Sequence, residues 1–186
     1  MSQSDTDLPD KPATRSPSVQ IRPAESVDYQ RVVDLDTETS GSEKPDYWRD
    51  MFAQYVDAGE GQRYLLVADL DGETVGFALG EVRAWEFGSP PCGWVFGLGV
   101  TANVREHRVG SALVGAMFER FRLDGVASVR TNVSRRDTLN LSFFRSLGMT
   151  AGPYVQLEYS LEDQDGLEDQ DGFEDQDGPD GQDGSS

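Results

Sequence analysis

Between residues 94 and 149 the chain sets out residue types that could bind and activate an anionic ligand. An apolar run, Trp94-Val95-Phe96-Gly97-Leu98-Gly99-Val100, breaks into a polar turn over residues 101–107. Arg105-Glu106-His107-Arg108-Val109-Gly110 then opens a helical pattern. The first N–H groups of a helix have no intrahelical acceptor and carry partial positive charge, so they attract phosphate. Arg105 and Arg108 add full charges, Gly110 allows close backbone approach, and Ser111 adds a hydroxyl. Strand, anion loop and helix in that order suit a pyrophosphate, although a solvated basic turn would carry the same residues.

The elements that must hold this loop can be read from hydrophobic periodicity. Residues 19–22 read as a strand. A helix follows with Tyr29, Val32, Val33 and Leu35 as its apolar positions, capped by Ser26 or Asp28. Pro45 opens a second helix with Trp48, Met51, Phe52, Tyr55 and Val56 on one face. Residues 64–70 form a β run, Asp71-Gly72 is a hairpin turn, and the partner strand covers 74–85. After the strand at 94–100, a helix over 111–123 carries Ala112, Leu113, Ala116, Met117 and Phe121 on one face, ending at Asp124-Gly125. A strand is expected at 126–133, a helix behind a Ser134-x-x-Asp137 capping box and before Gly148, and a last strand at 154–160. The order β-α-α-β-β-β-α-β-α-β predicts an α/β fold: a central mixed sheet flanked by about four helices.

Taken together, these motifs resemble the GNAT superfamily of N-acetyltransferases over about residues 19–160. Arg105 to Gly110 is similar to that family's Gln/Arg-x-x-Gly-x-Gly/Ala loop, with Arg108 replacing the middle glycine. Ile21-Arg22-Pro23-Ala24 with Asp28 resembles its opening strand and helix, and Asp71-Gly72-Glu73-Thr74-Val75-Gly76-Phe77 its second hairpin. Asp137-x-x-Asn140-x-x-Phe143-Phe144-x-x-x-Gly148-Met149 resembles the family's Asn-x-x-Ala-x-x-Phe-Tyr-x-x-x-Gly-Phe.

The resemblance implies acetyl-CoA as co-substrate, bound where the strand at 94–100 splays from the strand at 126–133. Leu98, Gly99 and Val100 would pair their backbone with the pantetheine arm, an N–H near Leu98 polarising the thioester carbonyl. Arg105, Arg108, Val109, Gly110 and Ser111 would receive the pyrophosphate, and Asn140 and Phe144 would complete the cofactor site. A small-molecule or protein amine would attack directly, without a covalent enzyme intermediate. The fold also leaves a homodimer open.

Two departures from the family bear on proton transfer. Many relatives carry at the Phe144 position a tyrosine that protonates the leaving thiolate; Phe144 cannot, and Tyr154 is the substitute candidate, with a plain strand tyrosine as the other reading. The strand at 94–100 also lacks a carboxylate, so Glu81 is the first candidate base and Glu86 the second, with a surface strand residue as the other reading of Glu81. Asp137 reads as a helix cap, His107 as a surface residue, and Cys92 as non-nucleophilic. The alternatives of other class are a non-catalytic acyl-CoA-binding regulator and an interaction module acting through the acidic tail.

Charge and composition narrow the field. The 186 residues carry a net charge of -18, with 34 acidic and 16 basic side chains, only two of them lysine (Lys11 and Lys44). Residues 161–186 hold 11 of the acids in copies of Leu/Phe-Glu-Asp-Gln-Asp-Gly, whereas residues 101–160 reverse the sign with eight Arg against five acids. This overall field disfavours nucleic acid but permits a small polyanion at the basic region. Acid-rich, lysine-poor composition resembles proteins of salt-accumulating halophiles, since at molar salt the Debye length shrinks to about 3 Å. The repeats have too little apolar surface to fold, so residues 1–18 and 161–186 are expected to be disordered around a domain at 19–160. The Asp-x-Asp-Gly units lack the spacing of a calcium loop, and no metal is expected. One cysteine excludes an intrachain disulfide. With neither signal-like N-terminus nor membrane span, the expected address is cytoplasmic, without membrane attachment.

Overall fold

The computed structural model describes residues 18–58 and 61–161, with the side chains of Arg105 and Glu106 also outside the description. The expected disorder of 1–18 and 161–186 therefore lies, except for Ser18 and Leu161, outside the described residues. The chain divides into two compact units, Met1–Thr150 and Ala151–Ser186.

The first unit is built on one five-stranded sheet in the order β1-β2-β3-β4-β5: Val19–Pro23, Arg63–Leu70, Glu73–Arg83, Cys92–Val100 and Val129–Arg130. Neighbours are antiparallel except β4 and β5, which run parallel, so the sheet is mixed as the element order requires. Among the described residues four α-helices accompany it: α1 (Tyr29–Ser40), α2 (Pro45–Phe52), α3 (Val109–Leu123) and α4 (Thr138–Ser146). Asp71 and Gly72, both at positive φ, turn β2 into β3.

Side-chain alternation along the strands gives each face its own layer. From β2, Leu65 and Val67 join Phe77 and Leu79 of β3 under α1 and α2, with Val32, Leu35, Trp48 and Phe52. Leu66, Ala68 and Leu70 point the other way, with Ala78 and Val95, onto Val109, Leu113, Met117 and Phe121 of α3. Each fully buried side chain of this size contributes about 1.5–3 kcal/mol relative to exposure, so the two layers hold the sheet as a fixed platform. At its edge Arg22 clamps β1 to the rest: its guanidinium bonds Asp28 at 2.6 Å and Asp69 at 2.7 Å.

Three elements depart from the sequence reading. The strand expected over 126–133 pairs only at Val129 and Arg130. The helix expected behind Ser134 begins later: Asp137 is itself the N-cap and accepts from the Asn140 amide at 3.0 Å, while Ser134 supplies its carbonyl to the Asp137 amide. In the second unit, residues 154–160 are not assigned to a strand, since alternating apolar residues alone do not make a sheet.

Candidate active site

The site starts from a fault in β4. Leu79 pairs with Gly97 and Gly80 with Val95, so Phe96 is an inserted residue, a β-bulge. One extra residue inverts the alternation that follows: Val95 and then Leu98 and Val100 face the α3 layer, whereas without the insertion Leu98 would have turned the other way. Gly97 and Gly99 consequently face Leu79 and Phe77, leaving space that those side chains fill.

On its other edge β4 pairs with β5 only through Gly93↔Val129 and Trp94↔Arg130. Beyond them the strands part. Val95, Phe96, Gly97 and Leu98 face Thr131, Asn132, Val133 and Ser134 across a wedge of about 230 Å³, with Asn140 and Phe144 behind it. Among the described residues the edge beyond Trp94 has no strand partner, which suits an extended ligand that can add to a sheet.

The wedge leads toward the start of α3. A 3-10 turn, Ala102–His107, ends at Arg108, the N-cap, with φ 54° and ψ 28°. This is the left-handed region, costing a side-chain-bearing residue about 1–2 kcal/mol. Strain of this kind persists where surrounding structure enforces it. Among the described side chains none caps α3, and its first turn holds no acid; the Ala112 amide bonds back to the Arg108 carbonyl at 3.0 Å. The first N–H groups of a helix, here those of Val109, Gly110 and Ser111, have no acceptor within the helix itself. At Gly110 a Cβ would stand 3.4 Å from the Phe143 ring, so α4 seals the back of this turn.

A cleft of about 1020 Å³ runs from this terminus across β4 to α1 and α2. Arg108, Gly110, Ser111, Leu98, Val100 and Asn140 line one part; Asp36, Lys44, Tyr47 and Trp48 line the other, with Phe96 shared between cleft and wedge. Asn140 lines both spaces and its amide donates to Asp137 at 2.7 Å, which fixes its orientation.

The structure therefore brings Leu98, Val100, Arg108, Gly110, Ser111, Asn140 and Phe144 to one connected surface. Gly99 and Val109 occupy the adjoining backbone, and the side chain of Arg105 lies outside the described residues. Glu81 is placed differently. It does not line the cleft; it accepts from Tyr55 at 2.5 Å and Arg83 at 2.9 Å, with Arg63 at 3.9 Å. A π-helical turn after α2, Ala53–Asp57, carries that tyrosine. Burial pushes the Glu81 carboxyl up, but the bonds from Tyr55 and Arg83 and the charges of Arg83 and Arg63 outweigh it and hold it below its ordinary value. Burial and the bond to Glu81 raise the Tyr55 phenol. Glu86 is exposed in the β3–β4 loop. Tyr154 belongs to the second unit, in the stretch without regular structure.

The profile of the Acetyltransferase (GNAT) family matches residues 29–149. The chain belongs to this family. A curated relative, L-2,4-diaminobutyric acid acetyltransferase of Nocardia farcinica (strain IFM 10152), is 28% identical over 87 residues, 47% of this chain. The match spans 44% of that relative's length. Among solved structures, aminoglycoside N-acetyltransferase AAC(6')-Iy in complex with CoA superposes with a TM-score of 0.70 at 18% identity, covering 80% of this chain and 98% of that one. A protein described as a transcriptional regulator from Bacillus halodurans C-125 gives 0.65 at 21% identity, over 77% and 99%. At such identities these two likenesses establish the GNAT fold.

For a GNAT acetyltransferase the residues present fit acetyl-CoA. The wedge offers an unpaired strand edge, and uncapped amides beside Arg108 suit a pyrophosphate. Sequence reasoning did not single out Asp36, a carboxylate only 8% exposed within the cleft. A signal existed: Asp36 stands seven residues after Tyr29, on the same helical face as Tyr29, Val32 and Val33. An acid on an apolar stripe marks either an internal pair or a site.

Proposed function

We propose that this chain is an acetyl-CoA-dependent N-acetyltransferase that modifies a primary amine of a small molecule by direct attack. The observation that carries the reading is the β4–β5 wedge opening toward the uncapped start of α3. The neutral amine nitrogen would add to the thioester carbonyl carbon, the nitrogen would give up a proton to water, and the C–S bond would then break from the oxyanion, the thiolate taking up a proton. Arg108 and the amides of Val109, Gly110 and Ser111 would hold phosphate charge; Leu98 to Val100 would position the acyl arm; a β4 amide near Leu98 would stabilise the oxyanion. Asn140 and Phe144 would shape the wedge, with Arg105 adding charge at the phosphate end. Phe144 offers no proton, so Tyr154 or water would protonate the leaving thiolate.

Small amines are favoured over protein amines because the curated relative is named for diaminobutyric acid and a structural neighbour for aminoglycosides. The same proposal places the domain at 19–160, assigns the acidic ends a solvating role in a salt-rich cytoplasm, and leaves room for a homodimer. The second reading, a non-catalytic acyl-CoA-binding regulator, is favoured by the missing hydroxyl at Phe144. Calorimetric titration of acetyl-CoA, followed by thiol release over an amine panel, separates the two. Binding with turnover supports the enzyme; binding without turnover supports the regulator; absence of binding by folded protein removes both.

A further inference from the structure

Asp36 and Lys44 form an ion pair inside the cleft. Asp36 accepts from Trp48 Nε1 at 2.8 Å, and Lys44 Nζ stands 2.9 Å from the same oxygen. Asp36 is 8% exposed, whereas the Lys44 side chain is 40% exposed, at the N-cap of α2. Glu38, the other carboxylate of this wall, is engaged at 3.3 Å by Arg31 and is half-exposed. Trp48 bonds Asp36 and Lys44 Nζ stands 6.0 Å from the Tyr47 ring centroid, with Phe77 and Phe96 lining the same cleft.

We propose that the acceptor carries a second cationic group besides the amine that is acetylated, and that Asp36 binds that group in place of Lys44. The inference deepens the acetyltransferase reading and rests on it for the identity of the acceptor. A carboxylate this buried needs a cation at all times, because leaving it unpaired costs more than the pair returns. Lys44 meets the need in the free protein. Its flexible stem and exposed head let it leave for water, where an ammonium is well hydrated. The Trp48 bond stays, so the site does not collapse as the cation changes. A monoamine leaves the resident pair untouched and gains nothing from it. A diamine exchanges one charge-assisted bond for another and adds contact between its methylene chain and the aromatic walls. The exchange is nearly balanced, so the expected preference is modest, about tenfold. A purely structural tie between α1 and α2 would show no such preference.

The test is calorimetry of the full chain with butane-1,4-diamine and with butylamine, at fixed ionic strength, for wild type, Asp36→Asn and Lys44→Met. Asparagine keeps an acceptor for Trp48, and circular dichroism checks each fold. Expected are about tenfold tighter diamine binding by wild type, loss of that preference in D36N, and a wider preference in K44M, where the competing ammonium is gone. Equal or undetectable binding of both amines by folded wild type overturns the inference, as does a preference that survives D36N. Acetyl-CoA is titrated in parallel. Diamine preference without acetyl-CoA binding sinks the acetyltransferase reading alone; acetyl-CoA turnover with butylamine but no diamine preference sinks this inference alone.

Discussion

Along its β3 edge, strand β4 is paired from Cys92 to Val100, interrupted only by the Phe96 bulge; along its β5 edge, pairing ends after Trp94. Nine residues thus serve two kinds of structure. On the closed side, glycines admit neighbouring side chains and every gap is filled. On the open side, among the described residues, the strand edge stops pairing after Trp94 and leads to the helix terminus proposed to take the ligand. The difference teaches that the site is made by withholding partners from an otherwise ordinary strand, rather than by adding reactive side chains. If so, substitutions on the closed side should move stability and spare ligand affinity, and those on the open side should do the reverse.

The largest effect is expected far from the wedge, at the Arg22 clamp. Asp28 is 6% exposed and bonded by two Arg22 nitrogens, at 2.6 and 2.8 Å. Asp28→Asn breaks a buried pair and should cost about 3 kcal/mol in urea unfolding. The bonds from Arg22 outweigh burial and hold the Asp28 carboxyl below its ordinary value. A lowered folded value means its contribution is full above the unfolded carboxylate range and disappears as pH falls through the folded value. Wild-type stability should therefore decline in acid, and D28N should decline less. Parallel pH slopes would show that the clamp does not set acid stability.

Gly93→Ala tests the closed packing of β4 itself. A Cβ there would stand 2.3 Å from Phe121 Cδ2, on a ring with no exposure, so the α3 layer must shift. The expected cost is about 1–3 kcal/mol, with acetyl-CoA affinity of the folded protein changed less than twofold. A large affinity loss would mean that the closed layer transmits strain into the wedge.

How much of this was legible depended on where partners come from. Helices α1 to α3 and strands β1 to β4 follow from local periodicity, because their apolar faces meet the sheet platform throughout. The bulge at Phe96 and the shortness of β5 are set by pairing between distant segments, which periodicity does not encode. Arg108 was legible as a non-glycine in a glycine position; its positive φ required the structure. The candidate base was legible as a residue type only: Glu81 is an acid on the expected strand with Arg83 two residues along it, but Tyr55 and Arg63 reach it from other elements. Asp36 is legible by helical phase, but apolar periodicity alone does not single it out.

On the open side, Ser111→Glu separates folding from binding. A carboxylate in the first turn of α3 complements the helix dipole and should raise stability by about 0.3–1 kcal/mol. The same charge stands where phosphate is proposed to bind, so acetyl-CoA affinity should fall about tenfold to a hundredfold. Unchanged affinity would move the pyrophosphate away from this terminus.

Arg108→Gly divides one residue into its two roles. Removing the side chain from a left-handed position should stabilise by about 1 kcal/mol. Loss of the guanidinium should weaken acetyl-CoA severalfold, more at low salt than at high salt, because a solvent-facing charge is screened. Equal binding by R108G and wild type at low salt would leave the backbone as the only contribution of this position.

The smallest effect is expected at Glu81, where the open and closed sides meet. A general base must reach the proton it removes, directly or through one water, and its pKa should lie near the working pH. Glu81 satisfies neither condition well. It lies outside the cleft lining, both oxygens are engaged by Tyr55 and Arg83, and its carboxyl is held below the usual range. Any role in catalysis would run through water and be weak. Glu81→Gln keeps the size of the side chain and an acceptor for Tyr55, so kcat should fall less than about tenfold, below the range typical of losing a positioned base. The acidic limb of the kcat/KM profile should follow deprotonation of the acceptor amine and shift when an amine of different basicity is used. A loss above a hundredfold, with an acidic limb that stays fixed across amines and vanishes in E81Q, would place the base behind Phe96 after all and make the closed side of β4 part of the catalytic machinery.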